Sequence, residues 1–413
     1  MKQSRPYPAY TITKKAEHSI AAGHPWVYAE EITQLPGDAP ENGALVDVCS
    51  SRGSYLGTGL LSLASKIRIR LLSRNANDQF DAAFWRRRIE YAWAYRKAVL
   101  APEELNCCRL IFGEADQFPG LTVDRFHDIL VTQTLSYGME QRKDVIFPLL
   151  ADVLRQDGQE IRGIYERNDA ALRAREGLPE GKGWFPLPGE APPEATHTTI
   201  CENGIFYDVD FENGQKTGFF LDQKYNRLAV QRLCKGKKVL DCFTHTGSFA
   251  LNAAVAGASS VLGVDASELG CEQARENARL NQVEDRVTFR CADVFELLPE
   301  LERKGETYDV VILDPPAFTK SRNSIKNAVK GYREINLRGM KLVRDGGYLA
   351  TCSCSHFMDQ ELFTQTVGQA ARNVHKRLRQ VEFRTQAPDH PILWGAGDSY
   401  YLKFYIFQVC DEK

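Results

Sequence analysis

The chain has 413 residues, 43% of them hydrophobic and 26% charged, and a formal net charge of −2. That length exceeds one ordinary core at roughly 100–200 residues per domain, and the composition excludes the disordered and fibrous classes. With so little net charge, a nucleic-acid partner would have to be held by local basic patches rather than by bulk attraction.

No stretch approaches about 18 consecutive apolar residues, and Met1–Tyr10 lacks the apolar centre of a signal peptide, so a cytoplasmic protein without a membrane partner is expected. Eleven cysteines, an odd number without paired C-x-x-C spacing, argue against a disulfide framework and against structural zinc. Reduced thiols and no metal site are the expectation. Cys242, Cys271 and Cys291 lie on or near apolar stretches and read as small buried hydrophobes.

In chain order, residues 1–73 hold short alternating runs (Ala44–Cys49, Tyr55–Leu61, Ile67–Leu72) separated by Gly, Pro and Ser, which specify a small β-rich domain. Gly23-His-Pro-Trp-Val-Tyr28 reads as the end of a short helix. Residues 74–190 change character: Phe84–Lys97 spaces apolar and aromatic residues at i, i+4, i+7, a helix with Arg86, Arg87 and Arg96 off its apolar face, either solvated or turned toward RNA. Arg109–Glu114 and Leu121–Thr132 read as strands around the turn Phe118-Pro-Gly120, and a helix follows near 140–156, giving a small α+β middle domain. Gly177–His197, rich in Pro and Gly, reads as a linker with the boundary near its end.

From about 200 the pattern alternates strand and helix: Lys238–Asp241, Ser260–Asp265, Arg286–Asp293, Tyr308–Asp314 and Gly347–Cys352, with helical segments such as Glu268–Asn281 and Lys326–Val343 between them. This is an α/β domain, a parallel sheet with helices on both faces and the ligand site at the carboxyl ends of the strands. The first four strands end in or beside Asp241, Asp265, Asp293 and Asp314, acids that either bind ligand or cap the next helix. Phe243-Thr-His-Thr-Gly-Ser-Phe249 has one glycine and does not match G-x-G-x-x-G, which disfavours a pyrophosphate cradle and suits S-adenosylmethionine, a cofactor without phosphate. Asp314-Pro-Pro316 presents a rigid carbonyl and carboxylate, with Phe318 beyond. Thr351-Cys-Ser-Cys-Ser355 places thiols at the fifth strand's end. A thiolate that adds to carbon 6 of a pyrimidine makes carbon 5 nucleophilic enough to take a methyl group. The other reading of these cysteines is passive burial.

Together, Gly23–Tyr28, Phe112–Asp116 with Phe118–Asp124, Gly214–Gln223, Leu240–Phe249, Leu313–Phe318 and Thr351–Ser355 make the chain similar to the PUA-domain-containing RNA methyltransferases typified by the bacterial large-subunit ribosomal RNA cytosine-C5 methyltransferase. The resemblance implies a PUA-like RNA-binding domain at 1–73, a middle domain at 74–190, and a Rossmann-like S-adenosylmethionine-dependent methyltransferase domain at 191–413 whose last strand, Tyr401–Val409, runs antiparallel. It also implies that Gln215, Lys216, Phe219, Phe220 and Asp222 cover the cofactor. Asp241, Phe243, Thr244 and Gly247 would line its methionyl side, Asp265 with Ala266 and Ser267 its ribose, Asp293 its adenine, and Asp314 the reacting base, with Asp314 and Pro315 also among the cofactor-binding residues. Cys352 would be the nucleophile, with Cys354 as the second choice. The implied partner is RNA, 23S ribosomal RNA above all, and a homodimer is compatible with it.

One departure matters. Other RNA cytosine-C5 enzymes carry a second cysteine after the fourth-strand proline, whereas here Pro315 is followed by Pro316, closer to the uracil-C5 enzymes. This leaves open the proton acceptor (Asp314 or His356) and the base. Methylation of uracil C5 or of a base nitrogen, and a non-catalytic ribosomal RNA-binding protein, are the alternatives.

Overall fold

The first strands and helix are β1 (Ala9–Ile12), α1 (Lys14–Ala21), β2 (Trp26–Tyr28), β3 (Ile32–Gln34), β4 (Leu45–Cys49), β5 (Tyr55–Leu61) and β6 (Ile67–Ser73). Thr13 caps α1 by accepting from the Ala16 amide. The strands form one sheet ordered β2-β6-β5-β4-β1-β3, antiparallel except for the parallel pair β1–β4. Its inward face, with Ile12, Val27, Val46, Val48, Leu61 and Ile69, closes on Ala16 and Ile20 of α1. In this computed structural model, residues 5–319 and 321–412 are described; the first residues of the Met1–Tyr10 segment lie outside them.

Next come α2 (Ala82–Val99), β7 (Cys107–Phe112), β8 (Leu121–Phe126), β9 (Ile129–Thr134), α3 (Tyr137–Glu140), α4 (Lys143–Gln156), β10 (Gly163–Arg167) and β11 (Lys182–Phe185). The sheet runs β11-β10-β9-β8-β7, and its one parallel pair, β9–β10, is joined through α3 and α4. Three expectations change here. The run Leu121–Thr132 is two strands, because the chain turns at His127 with φ +56° and β8 pairs back on β9. The Pro/Gly-rich segment after Gly177 carries β11, which pairs antiparallel with β10. Arg96 is not off the apolar face of its helix but 0% exposed. Its guanidinium is bidentate to Asp116 (2.5 and 2.8 Å) and also donates to the carbonyls of Arg109 (2.7 Å) and Asp389 (2.9 Å). A buried charge persists only with such a full set of acceptors.

A hairpin of β12 (His197–Glu202) and β13 (Ile205–Asp210) turns at Asn203-Gly204, both with positive φ, the geometry of a tight two-residue turn. Beyond it lie α5 (Lys224–Gln231), β14 (Lys238–Cys242), α6 (Ser248–Val255), β15 (Ser260–Asp265), α7 (Glu268–Leu280), β16 (Val287–Cys291), α8 (Val294–Arg303), β17 (Tyr308–Leu313), α9 (Ile325–Leu342), β18 (Val343–Ser353), α10 (Gln360–Asn373), β19 (Lys376–Arg384) and β20 (Lys403–Asp411). Their sheet is ordered β16-β15-β14-β17-β18-β20-β19. The first five strands are parallel, and β20 runs antiparallel between β18 and β19. The mixed α/β class and the antiparallel last strand match expectation. Of the three cysteines read as buried, Cys242 and Cys271 are, and Cys291 is exposed at the end of edge strand β16, where three of the five residues face solvent.

The described chain divides into two compact units. The first comprises Met1–Ile200, Val209–Leu221 and Pro388–Ser399; the second comprises Cys201–Asp208, Asp222–Ala387 and Tyr400–Lys413. Among the described residues, no helix is long and apolar enough to cross a membrane.

Candidate active site

In the second unit the strand order reverses at β14. The chain leaves β14 for β15 and β16 on one side and returns to β17 and β18 on the other, so the carboxyl ends of β14 and β17 flank a switch point where ligands of such sheets bind. Asp241 lies one residue before the end of β14, and Asp314 directly follows β17.

The loop Phe243–Gly247 is shaped by the strand-end acids. Its backbone enters the left-handed region at Phe243 (φ +66°), His245 (φ +54°) and Gly247 (φ +86°). For a bulky residue such as Phe243 that conformation costs about 1–2 kcal/mol and persists only where the surroundings impose it. Here they do. Asp241 Oδ2 accepts from Thr244 Oγ1 (2.5 Å) and the Ala250 amide (2.9 Å), while Asp265 accepts from the amides of His245 and Ser267, each at 2.9 Å. Glycine is required at 247 and 263: a Cβ there would stand 3.0 and 2.5 Å from the Phe289 ring of β16. Burial pushes the Asp241 carboxyl up to about 8, and the charge of Asp314 adds to the effect.

At the ends of β17 and β18, Cys352 Sγ donates to Asp314 Oδ1 at 2.8 Å, and Gln223 Nε2 reaches both, at 3.0 Å to Asp314 and 3.5 Å to Cys352. Gln223 is oriented in turn by Asn226, whose Nδ2 donates to Gln223 Oε1 at 2.6 Å. Cys352 is 0% exposed, and burial together with Asp314 lifts its thiol well above the ordinary value. Burial raises Asp314 to about 6, against the hydrogen bonds from Cys352 and Gln223. Cys354 is half-buried, its Sγ 3.8 Å from the Pro315 carbonyl.

Two side chains hold the segment Cys352–Ser355 from either side. Tyr332 of α9 joins Ser353 and Ser355 through its hydroxyl, both at 3.0 Å. Lys403 of β20, opposite Ser353, is buried and donates to the carbonyls of Ser355 (2.7 Å) and Tyr401 (2.8 Å). Desolvation lowers the Lys403 ammonium to about 8, while Cys354, Asp359 and Cys352 favour its charged form.

A family model described as an S-adenosylmethionine-dependent methyltransferase matches residues 186–400. The chain belongs to this family. A second model, a PUA-like domain, matches residues 11–74. A relative from Shewanella denitrificans named ribosomal RNA large subunit methyltransferase I is 41% identical over 394 residues, 95% of this chain and 97% of that protein. Its namesake from Photobacterium profundum is 39% identical over 96% of this chain and 98% of its own length. Two solved structures share the fold. A putative methyltransferase complexed with SAH has TM-score 0.82 at 21% identity, over 97% of this chain and 99% of that one. A putative SAM-dependent methyltransferase from Streptococcus mutans has TM-score 0.80 at 22% identity, with the same coverage.

S-adenosylmethionine is therefore the cofactor of this methyltransferase, and the second unit's donor set fits it. Asp241 Oδ1 is buried with no hydrogen-bond partner among the described residues, an acceptor for an ammonium group. Each oxygen of half-buried Asp265 takes one backbone N–H and keeps lone pairs for ribose hydroxyls.

Of the residues the sequence singles out, the second unit contains Asp222, Asp241, Phe243, Thr244, Gly247, Asp265, Ala266, Ser267, Asp293, Asp314, Pro315, Cys352 and Cys354, whereas Gln215, Lys216, Phe219 and Phe220 belong to the first. Asp293 is exposed and caps α8, accepting from the Phe295 amide at 2.8 Å, and Asp222 accepts from Tyr401 Oη at 2.6 Å. Phe318 packs on Tyr332 with ring centroids 4.7 Å apart. Sequence reasoning missed Asn226, Tyr332 and Lys403 as site residues, and it read Gln223 only as the end of the Gln215–Gln223 segment expected to cover the cofactor.

Proposed function

We propose that this methyltransferase acts on carbon 5 of a cytosine in large-subunit ribosomal RNA, through a Cys352 adduct at carbon 6. The hydrogen bond of 2.8 Å from Cys352 Sγ to Asp314 Oδ1 carries the reading, because it gives a buried thiol a proton acceptor beside the switch point of the sheet. The two relatives named ribosomal RNA large subunit methyltransferase I, matched over nearly their whole length, support the RNA.

When bound, S-adenosylmethionine supplies the electrophilic methyl group. The protein's residues do the rest. Asp314 takes the thiol proton as Sγ bonds to carbon 6, then passes it to ring N3, which receives the electron pair displaced from the C5–C6 bond. Ionised again, Asp314 accepts the C5 proton after carbon 5 has been methylated; the C6–S bond then breaks, and Sγ is reprotonated as N3 gives up its proton. Gln223 Nε2 holds carboxylate and sulfur together throughout. The target base must leave its stack to reach a buried thiol. Within the second unit, Asp241, Phe243, Thr244, Gly247, Asp265, Ala266, Ser267, Asp293 and Pro315 are assigned to the cofactor. Gln215, Lys216, Phe219, Phe220 and Asp222 enter the assignment on the family resemblance alone.

The test is incubation with methyl-labelled cofactor and unmodified large-subunit ribosomal RNA, followed by digestion to nucleosides. The expected result is label in 5-methylcytidine, reduced at least about 1,000-fold in Cys352→Ala and far less in Cys354→Ala. Label in 5-methyluridine, a purine or an exocyclic amine, or turnover that survives Cys352→Ala, overturns the proposal.

A further inference from the structure

Gln223 touches both groups that move the proton in the reaction above, and an amide can face them either way round, giving hydrogen bonds through its nitrogen or taking them on its oxygen. The observed orientation is the giving one, with Nε2 3.0 Å from Asp314 Oδ1 and 3.5 Å from Cys352 Sγ. While Asp314 is ionised it commands that orientation itself, because a carboxylate only accepts. Once it has taken the thiol proton, it does so no longer. A carboxylic acid donates as well as accepts, so a Gln223 turned by a half-rotation would offer Oε1 to the Asp314 proton and compete for it with the base.

What opposes the turn lies behind Gln223. Gln223 and Asn226 stand three residues apart across the first turn of α5, close enough for their side chains to meet, and are 4% and 1% exposed. Asn226 Nδ2 donates to Gln223 Oε1 at 2.6 Å and to the Thr385 carbonyl at 3.3 Å. Thr385 directly follows β19, and its segment is tied to the start of α5 by the Ala387 amide, which donates to the Asp222 carbonyl at 2.8 Å. A backbone carbonyl can only accept, so it fixes the nitrogen end of Asn226. Asn226 Oδ1 is buried with no hydrogen-bond partner among the described residues. The amide thus leaves its oxygen idle to keep its nitrogen between two acceptors; turned round, it would set that oxygen against both. The polarity of the row is therefore imposed from the Thr385 carbonyl, through Asn226 and Gln223, to Asp314.

We infer that Asn226 is a positioning residue that suits the site to cytosine: it keeps the Gln223 N–H on Asp314 while Asp314 carries the proton, so that the proton is delivered to ring N3. Cytosine needs that delivery. Its N3 is a bare acceptor that must gain a proton as it receives the electron pair displaced from the C5–C6 bond. Uracil already carries a proton on N3 and takes the displaced pair on O4, so the device brings it nothing. The inference rests on the reading of cytosine C5 as the target.

The test follows adduct formation in a large-subunit RNA fragment with 5-fluorocytidine at the position that the wild type methylates. Fluorine cannot leave as the C5 proton does, so the Sγ–C6 bond persists and the protein–RNA complex survives denaturing electrophoresis. Rates are taken per cofactor-binding site, counted by calorimetry, so that unfolded protein does not enter. Gln223→Leu removes the amide altogether and is expected to slow adduct formation about tenfold, the loss of one hydrogen bond to a charged group. Asn226→Leu leaves Gln223 free to turn and is expected to slow it at least about 100-fold, because the proton is now diverted as well. The double variant is expected to recover to the rate of Gln223→Leu alone, since no Oε1 is left to take the proton; two merely structural losses would not rescue one another. An Asn226→Leu variant no slower than Gln223→Leu, or a double variant no faster than Asn226→Leu, overturns the role of Asn226 and leaves the cytosine reading in place. If the wild type forms no adduct, the cytosine reading itself fails.

Discussion

Burial and the neighbouring Asp314 hold the Cys352 thiol well above its ordinary pKa, so at neutral pH the nucleophile is stored with its proton on. Reactivity then depends on the acceptor. Asp314 is raised to about 6, and only its ionised form takes a proton, so below that pH it is already protonated. The single-turnover methylation rate is expected to climb about tenfold per pH unit below pH 6 and to level off above it. Asp314→Asn should lose the inflection along with most of the rate; an inflection near 6 that survives this substitution would remove Asp314 from the proton path. At this scale the sequence was legible in placement wherever a residue sat inside a local motif: Cys352, Asp314, Asp241 and Asp265 lie at or beside strand ends, as the pattern put them. It was silent on Lys403 and on the reach of Gln223 to the thiol, which act from remote segments through field and hydrogen bond. A lone Gln or Lys carries no local pattern from which such reach could be read. Asp293 takes up both readings open to a strand-end acid only in part: its observed bond is a helix cap, made by one oxygen.

The parallel sheet was legible in the sequence because β14, β15 and β17 are buried on both faces and read as short apolar runs, with amphipathic helices returning the chain between them. α2 was legible as a helix but misread in its facing. An arginine counts as polar in any periodicity argument, and nothing in the spacing of Phe84–Lys97 announces that Asp116 waits 20 residues downstream. That inward arginine has a measurable cost of removal. Arg96→Met leaves a buried Asp116 carboxylate without its bidentate partner and two carbonyls without a donor. A loss of about 3–5 kcal/mol in urea unfolding is expected. A change under 1 kcal/mol would mean that water replaces the guanidinium. β11 escaped notice for a related reason: prolines and glycines mark a segment as irregular, whereas Lys182–Phe185 needs only one neighbour, β10, to become an edge strand.

At the scale of the whole molecule, both family models fall on stretches the sequence had already separated by pattern, a β-rich start and an alternating α/β end. Legibility stopped at the return of the chain. Pro388–Ser399, close to the C-terminus, belongs to the first unit: the Asp389 carboxylate accepts from the Arg109 amide at 2.9 Å and its carbonyl accepts from Arg96. Thr217, in another returning segment, donates to Asp124 at 2.6 Å. A fragment ending at Ile200 therefore lacks partners for buried groups of α2, β7 and β8. It is expected to unfold without the cooperative transition that the intact chain shows in calorimetry; a sharp, native-like melt of the fragment would contradict this.

The return of Pro388–Ser399 also sets the order of assembly during synthesis. At about 5–20 residues per second, some 10–40 s separate the translation of Ile200 from that of Ser399. Throughout that interval the nascent first unit holds Arg96 and the Arg109 amide ready for an Asp389 that has not yet been made. The half of the protein that is begun first thus cannot close until most of the other half has been made.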